Sequence, residues 1–298
     1  MKKLISLLLL VCIVTVALYS CSEKEREYTL SVGTVLSEEL SASSLSVTSA
    51  AVVCDTDGKI VLCRLDCAEL EARAENGKVK AYTAEKTKQE LRDEYGMKKN
   101  GNALAEWYVQ AQNFEKHVIG KTLAEVSNIK SGDAELSGSC TIDVSDFVKA
   151  IGKAMNSDKK VSFTGTDKLS AGLAIAASVA DSGGNAEFIT DIAAVVVLDG
   201  KTVAAVADAA EAKMNLKDGK GESFEYSGTK LELGDGYGMK EYGGAEREWY
   251  EQAQSYADTA VGMAPDSLGS LPVESVSGCT INASPLRAAL SRAGKNTR

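Results

Sequence analysis

The chain has 298 residues, a net charge of −9 and a hydrophobic fraction of 44%. An acidic chain without a basic stripe argues against nucleic acid as a partner, and only three prolines argue for a regular fold over a disordered stalk. One histidine and seven cysteines with no CxxC leave no common zinc pattern to assemble.

Met1-Lys2-Lys3 opens the chain and an apolar run follows from Leu4 to Leu18. Residues 1–20 read as a signal peptide, since the run falls short of the roughly 20 apolar residues of a membrane span. Leu18-Tyr19-Ser20-Cys21 resembles the bacterial lipobox, although Tyr19 is bulkier than the usual residue. The resemblance implies cleavage before Cys21, lipidation of Cys21, and an exported protein anchored to the outer face of the cytoplasmic membrane, on the periplasmic side where one exists. At about 0.8 kcal/mol per buried methylene, two or more acyl chains make a stable anchor. Loss of Lys2 and Lys3 takes the net charge to −11. Residues 21–44 then read as the lipidated Cys and a tether leading into a first strand, with a charged segment at Ser22–Glu27.

Two stretches of the remaining chain repeat each other. Asp57-Gly58-Lys59 returns as Asp199-Gly200-Lys201, Tyr95-Gly96-Met97-Lys98 as Tyr237-Gly238-Met239-Lys240, and Glu106-Trp107-Tyr108 as Glu248-Trp249-Tyr250, all at an offset of 142. Cys140-Thr141-Ile142 returns as Cys279-Thr280-Ile281 at 139, so three residues are lost just before the second copy of that motif. The expected organisation is two tandem copies of a small α+β domain, 45–157 and 158–298, each an antiparallel sheet packed by helices.

In chain order, Leu45–Cys54 reads as a strand with Phe188–Leu198 as its counterpart, and Asp57-Gly58 and Asp199-Gly200 as hairpin turns. Ile60 to Cys67 alternates. Val61, Cys63, Leu65 and Cys67 form the face expected against helices, while Ile60, Leu62, Arg64 and Asp66 form the other. Lys78–Tyr82 is a candidate third strand after the Asn76-Gly77 turn. Leu104, Trp107, Ala111, Phe114 and Val118 form one helical stripe, matched by Trp249, Ala253, Tyr256 and Ala260. Thr122 to Glu125 has the form of a capping box. Each copy should close with a short strand and a helix, the helices capped by Ser145 and by Ser284 before Pro285.

Asp66 and Glu69 recur as Asp208 and Glu211 at a strand end, and the pattern favours solvated surface over acid–base or metal chemistry. Lys88 and Lys230 suit either phosphate or nearby acids. His117 becomes Thr259, so no base supports a Ser or Cys nucleophile. Cys54, Cys63 and Cys67 become Val196, Ala205 and Ala209, which favours buried structural thiols.

Ser277-Gly278-Cys279-Thr280 precedes the last helix. It resembles the Ser-Gly-Ala-Thr segment of FMN-binding domains, in which the Thr hydroxyl is esterified to FMN phosphate; Asp57-Gly58-Lys59-Ile60 matches the turn of those domains. Here Cys279 replaces the Ala, and the first copy has an extra residue before Cys140-Thr141. No Gly-rich opening strand is present. The Tyr-Gly-Met-Lys and Glu-Trp-Tyr segments also look like those of uncharacterised exported clostridial proteins. The resemblance implies FMN, covalent at Thr280 and less readily at Thr141, held by Ser277 and Gly278, with Trp249 and Tyr250 beside the ring. It also implies a flavin transferase and redox partners, and thus an electron carrier. A helix N-terminus suits a phosphate. The competing reading takes the motif as a strand-to-helix turn, Trp107 and Trp249 as core, and the chain as a non-catalytic exported binding lipoprotein without cofactor. An independent enzyme lacks a visible constellation.

Overall fold

A computed structural model describes residues 24–75, 78–80, 83–84, 86–274 and 276–298. The expected signal peptide and Cys21 lie outside the described residues, as do Asn76, Gly77, Ala81 and Tyr82 around the expected third strand.

The chain runs through strands β1 (Arg26–Glu39), β2 (Ser44–Asp55) and β3 (Ile60–Glu71), a hairpin of β4 (Arg73–Glu75) and β5 (Lys78–Lys80), and β6 (Thr83–Ala84). Helices follow as α1 (Lys88–Leu91), α2 (Met97–Gly101), α3 (Trp107–Val118), α4 (Leu123–Ser127) and α5 (Ser145–Asn156). The second half supplies β7 (Val161–Gly165), β8 (Ser170–Ser182), β9 (Asn185–Leu198), β10 (Lys201–Lys217) and β11 (Lys220–Glu225), then α6 (Lys230–Leu233), α7 (Trp249–Ala257) and α8 (Ser284–Lys295). Among the described residues two large antiparallel sheets result, in the orders β3-β2-β1-β7 and β11-β10-β9-β8-β6, beside the two-stranded β4-β5. The fold is therefore α+β, with antiparallel sheets packed by helices.

Both faces of each sheet are covered. Cys63, Leu65 and Cys67 meet Trp107, Phe114 and Phe147 of α3 and α5, and Ala205, Ala207 and Ala209 meet Trp249, Tyr256 and Leu290 of α7 and α8. The opposite faces pack on each other: Tyr28, Leu30 and Val53 of the first sheet against Leu173, Ile192 and Val206 of the second, and Leu45 and Leu70 against Ile175 and Phe188. Each such aliphatic or aromatic side chain contributes about 1.5–3 kcal/mol on burial. The layers are helix, sheet, sheet, helix.

Several expectations change here. Residues 26–39, read as tether, form β1, and their near-continuous burial explains why no alternation marked them. The two stretches are also interlocked. Strand β7, from beyond residue 157, pairs with β1 (Tyr28 opposite Phe163), and β6 pairs with β8. A bulge at Val61 and another at Val203 switch the alternation, so Ile60 faces the helices while Val61 and Val203 turn to the inter-sheet layer. Leu104 precedes α3 and is 52% exposed, whereas Trp107, Ala111, Phe114 and Val118 are buried as the stripe required. Among the described residues no strand lies between α4 and α5 or between α7 and α8. Ser145 and Ser284 are first helical residues, and the capping acceptors are Asp143 Oδ1 and Asn282 Oδ1, which take the Ser145 and Ser284 N–H groups at 2.8 and 3.1 Å.

The closing helices lie tight on the sheets at glycines. A Cβ on Gly33 would meet the Ala150 carbonyl of α5, and one on Gly172 the Ala293 carbonyl of α8. Gly172→Ala is expected to lower stability by about 1–3 kcal/mol through overpacking. Gly138→Ala, with no atom near its added methyl, should change it far less; urea unfolding of both variants checks this.

Candidate functional site

The site begins with a buried carboxylate. Asp208 on β10 is 2% exposed; its Oδ1 accepts from Ala209 N at 2.7 Å and from Leu231 N at 3.0 Å, and Thr229 adds a side-chain hydrogen bond. Asp66 does the same on β3, accepting from Cys67 N at 2.8 Å, Gln89 N at 3.2 Å and Thr87 Oγ1 at 2.6 Å. Both were expected on a solvated surface. Asp66 and Asp208 sit in mid-strand rather than at a strand end, the strand face turned from the helices is covered, and residues 86–91 and 228–233 pack beside the two carboxylates. Thr87 and Thr229 complete capping boxes with Glu90 and Glu232.

The anchored turns place Lys88 and Lys230. Lys230 Nζ lies 2.7 Å from Glu211, 4.8 Å from the Tyr237 ring centroid and 5.3 Å from that of Trp249. Lys88 repeats this with Glu69 at 2.7 Å, Tyr95 at 4.9 Å and Trp107 at 5.6 Å. Burial works against the Lys230 charge, but hydrogen bonds to Glu211 and Tyr237 outweigh it and hold its pKa above the ordinary lysine value.

Two recurring segments are one structural unit. The buried Glu248 carboxylate reaches back to accept from Met239 N and Lys240 N, both at 2.9 Å, and Glu106 accepts from Met97 N and Lys98 N at 2.8 and 3.1 Å. The Tyr-Gly-Met-Lys loop is thereby tied to the helix that carries the Trp.

The closing motif is clasped in a similar way. Gln252 Oε1 accepts from Thr280 N at 2.8 Å, Thr280 Oγ1 at 3.0 Å and Ile281 N at 3.2 Å. Gln110 Oε1 takes Thr141 N and Oγ1 at 2.7 and 3.1 Å. Thr280, Thr141 and Ser277 are exposed, and the Arg247 guanidinium stands against Gly278. Tyr250 donates to Asp235 at 3.2 Å and lies under Lys159.

A cleft of about 390 Å³ opens on the helix-facing side of the second sheet. Its floor is Ile189, Asp191, Ala209 and Glu211; its walls are Lys230, Tyr237, Met239 and Trp249 on one side and Ile281, Asn282, Pro285 and Leu286 on the other. Of the residues that the flavin resemblance singled out, Trp249 lines this cleft and Thr280, Ser277, Gly278 and Tyr250 do not, while Thr141 sits in the other half; the recurring Glu211, Lys230, Tyr237 and Met239 line it too. Asp191 and Leu286 were missed. The signal for Asp191 lay in comparing the two halves by strand pairing, since Asp191 faces Ala209 where Thr48 faces Cys67, and that for Leu286 in comparing the closing helices, where Phe147 holds the same position. Burial pushes the Asp191 carboxyl up to about 6, opposed by Lys230 and aided by Glu211.

The thiols of Cys54, Cys63, Cys67 and Cys140 are buried and unbridged, and burial raises each. Cys279 is partly exposed. His117 sits 3.7 Å from Glu135. Among the described residues no cluster of three or more His, Cys, Asp or Glu side chains could hold a metal ion, and no helix is long and apolar enough to cross a membrane. No family model, curated protein or solved structure matches the chain.

Burial pushes the Asp66 and Asp208 carboxyls up to about 7, against their hydrogen-bond donors. An acid with a folded pKa above its unfolded value near 4 binds its proton more tightly when folded. Its stabilising contribution is full below about pH 4 and is lost as pH rises through about 7. Unfolding free energy is therefore expected to fall between pH 5 and pH 8, by at most about 1.4 kcal/mol per pH unit for each such proton. Urea titrations at both pH values should show this slope reduced in Asp208→Asn.

Proposed function

We infer that the protein is an exported, lipid-anchored binding protein whose second-half cleft takes a small ligand. The observation that carries this is the cleft itself, a concave site of the lower size range for small molecules, with apolar walls and a few polar groups held on a rigid frame. Anchoring at Cys21 keeps the domain at the membrane surface, with the lipid bilayer as its first partner. The absence of a nucleophile–base pair in the cleft lining favours binding over turnover.

Flavin carriage is the second reading, favoured by Trp249 and by Ile281 and Asn282, the two residues that follow Thr280, lining one cleft. In this reading Trp249 would pack on FMN, which would supply the redox chemistry, and Thr280 Oγ1, bonded to Gln252 in this structure, would be the residue that holds its phosphate. The shared Thr–Gln clasp in both halves supports a structural role for the motif. The two readings separate in one experiment. Protein co-expressed with a flavin transferase, denatured and run on a gel, is expected to show no flavin fluorescence and no mass increase of one FMN. A fluorescent band lost in Thr280→Ala would replace the binding reading with the flavin carrier.

A further inference from the structure

The two halves share a frame and differ where the cleft lies. Lys, Glu, Tyr and Trp hold the same mutual arrangement at Lys88, Glu69, Tyr95 and Trp107 as at Lys230, Glu211, Tyr237 and Trp249. Three neighbouring positions do not match. Opposite the strand residue after the buried aspartate, the first half pairs Thr48 with Cys67, and the second pairs Asp191 with Ala209. At the third residue of the closing helix, the first half has Phe147 and the second Leu286. Phe147 fills the first half, packing on Trp107 at 5.6 Å and on Phe114 at 5.5 Å. In the second half the smaller Ala209 and Leu286 leave the cleft beside Trp249.

The same exchange that opens the cleft puts a carboxylate in its floor. Asp191 sits mid-strand on the face that continues as Ala193, Val195 and Val197 in the helix-packed core. No hydrogen-bond or ion-pair partner among the described residues reaches its carboxylate. Lys230 is committed to Glu211 and to the faces of two aromatic rings. The cleft therefore carries two carboxylates against one ammonium, and Lys230, bonded to Glu211, offsets the Asp191 charge only in part. A half-buried anion is costly unless paired, and an anionic ligand would meet both Asp191 and Glu211.

Resting on the reading of this cleft as a ligand site, we propose that it binds a small organic cation, an ammonium group on an apolar body, with the cation at Asp191 and the body between Trp249 and Leu286. Burial keeps the Asp191 carboxyl near 6, so it is ionised at neutral pH and available to the cation.

The chain has two tryptophans, and they report the two halves separately. The ¹⁵N-labelled full-length protein in detergent is titrated at pH 7.5 with 2-phenylethylammonium, 2-phenylethanol and phenylacetate while both indole N–H signals are followed. The ammonium is expected to shift the Trp249 signal, leave Trp107 in place, and bind at least tenfold more tightly than the alcohol or phenylacetate. Asp191→Asn should weaken it at least tenfold, and Leu286→Phe, which copies the first half, should abolish the shift while circular dichroism stays unchanged. If the alcohol or phenylacetate shifts Trp249 as tightly as the ammonium, or Asp191→Asn binds normally, the cation assignment is overturned while the cleft remains a ligand site. If no probe moves Trp249, both readings fall.

Discussion

A four-residue helix has no stability of its own, because nucleation costs more than so few hydrogen bonds return. In this protein α1 and α6 exist because a carboxylate buried in the adjoining strand accepts from their first turn. Asp66 and Asp208 join sheet to helix through a first-turn N–H, Gln89 N or Leu231 N, and through the side chain of the capping Thr87 or Thr229. The rest of each frame follows. The anchored turn points Lys88 or Lys230 at a Glu and over a Tyr and a Trp, and the Trp-bearing helix in turn holds the Tyr-Gly-Met-Lys loop through Glu106 or Glu248. The capping glutamates then tie the halves together, Glu90 to Arg292 of α8 and Glu232 to Lys153 of α5 at 2.8 Å. Reciprocal ties of this kind, with β7 on β1 and β6 on β8, join the two halves into an interlocked sandwich.

Much of the outline was legible because it depends on local chemistry. The Asp-Gly turns need a left-handed backbone that Gly58 and Gly200 supply, and the Trp107–Val118 stripe follows from helical period alone. What failed depends on a neighbour distant in sequence. Asp66 reads as surface because nothing local shows that its face of the strand is covered. Strand β1 is buried on both faces, so it carries no alternation to find. The Thr280 motif resembles a cofactor turn because Thr beside a helix start suits phosphate. Its partner, Gln252, is 28 residues away, and the same partnership in the first half becomes visible only when both are seen folded.

The candidate site was the least legible part. Asp191, Lys230, Trp249 and Leu286 come from four elements, and no spacing links them. Retention of the frame in both halves explains why the recurring residues are structural. The cleft arises at positions where the halves diverge, Thr48 to Asp191, Cys67 to Ala209 and Phe147 to Leu286. Repetition therefore marks the frame in this chain, and departure from repetition marks the cleft.

The dependence of the frame on its buried carboxylates is tested most directly by amide hydrogen exchange at Leu231. Held by Asp208, that N–H should exchange as slowly as the amides of β10 beside it, and at least tenfold faster in Asp208→Ala. Exchange in the native protein as rapid as in an exposed loop would contradict the anchoring on which the frame, and with it the cleft, is built.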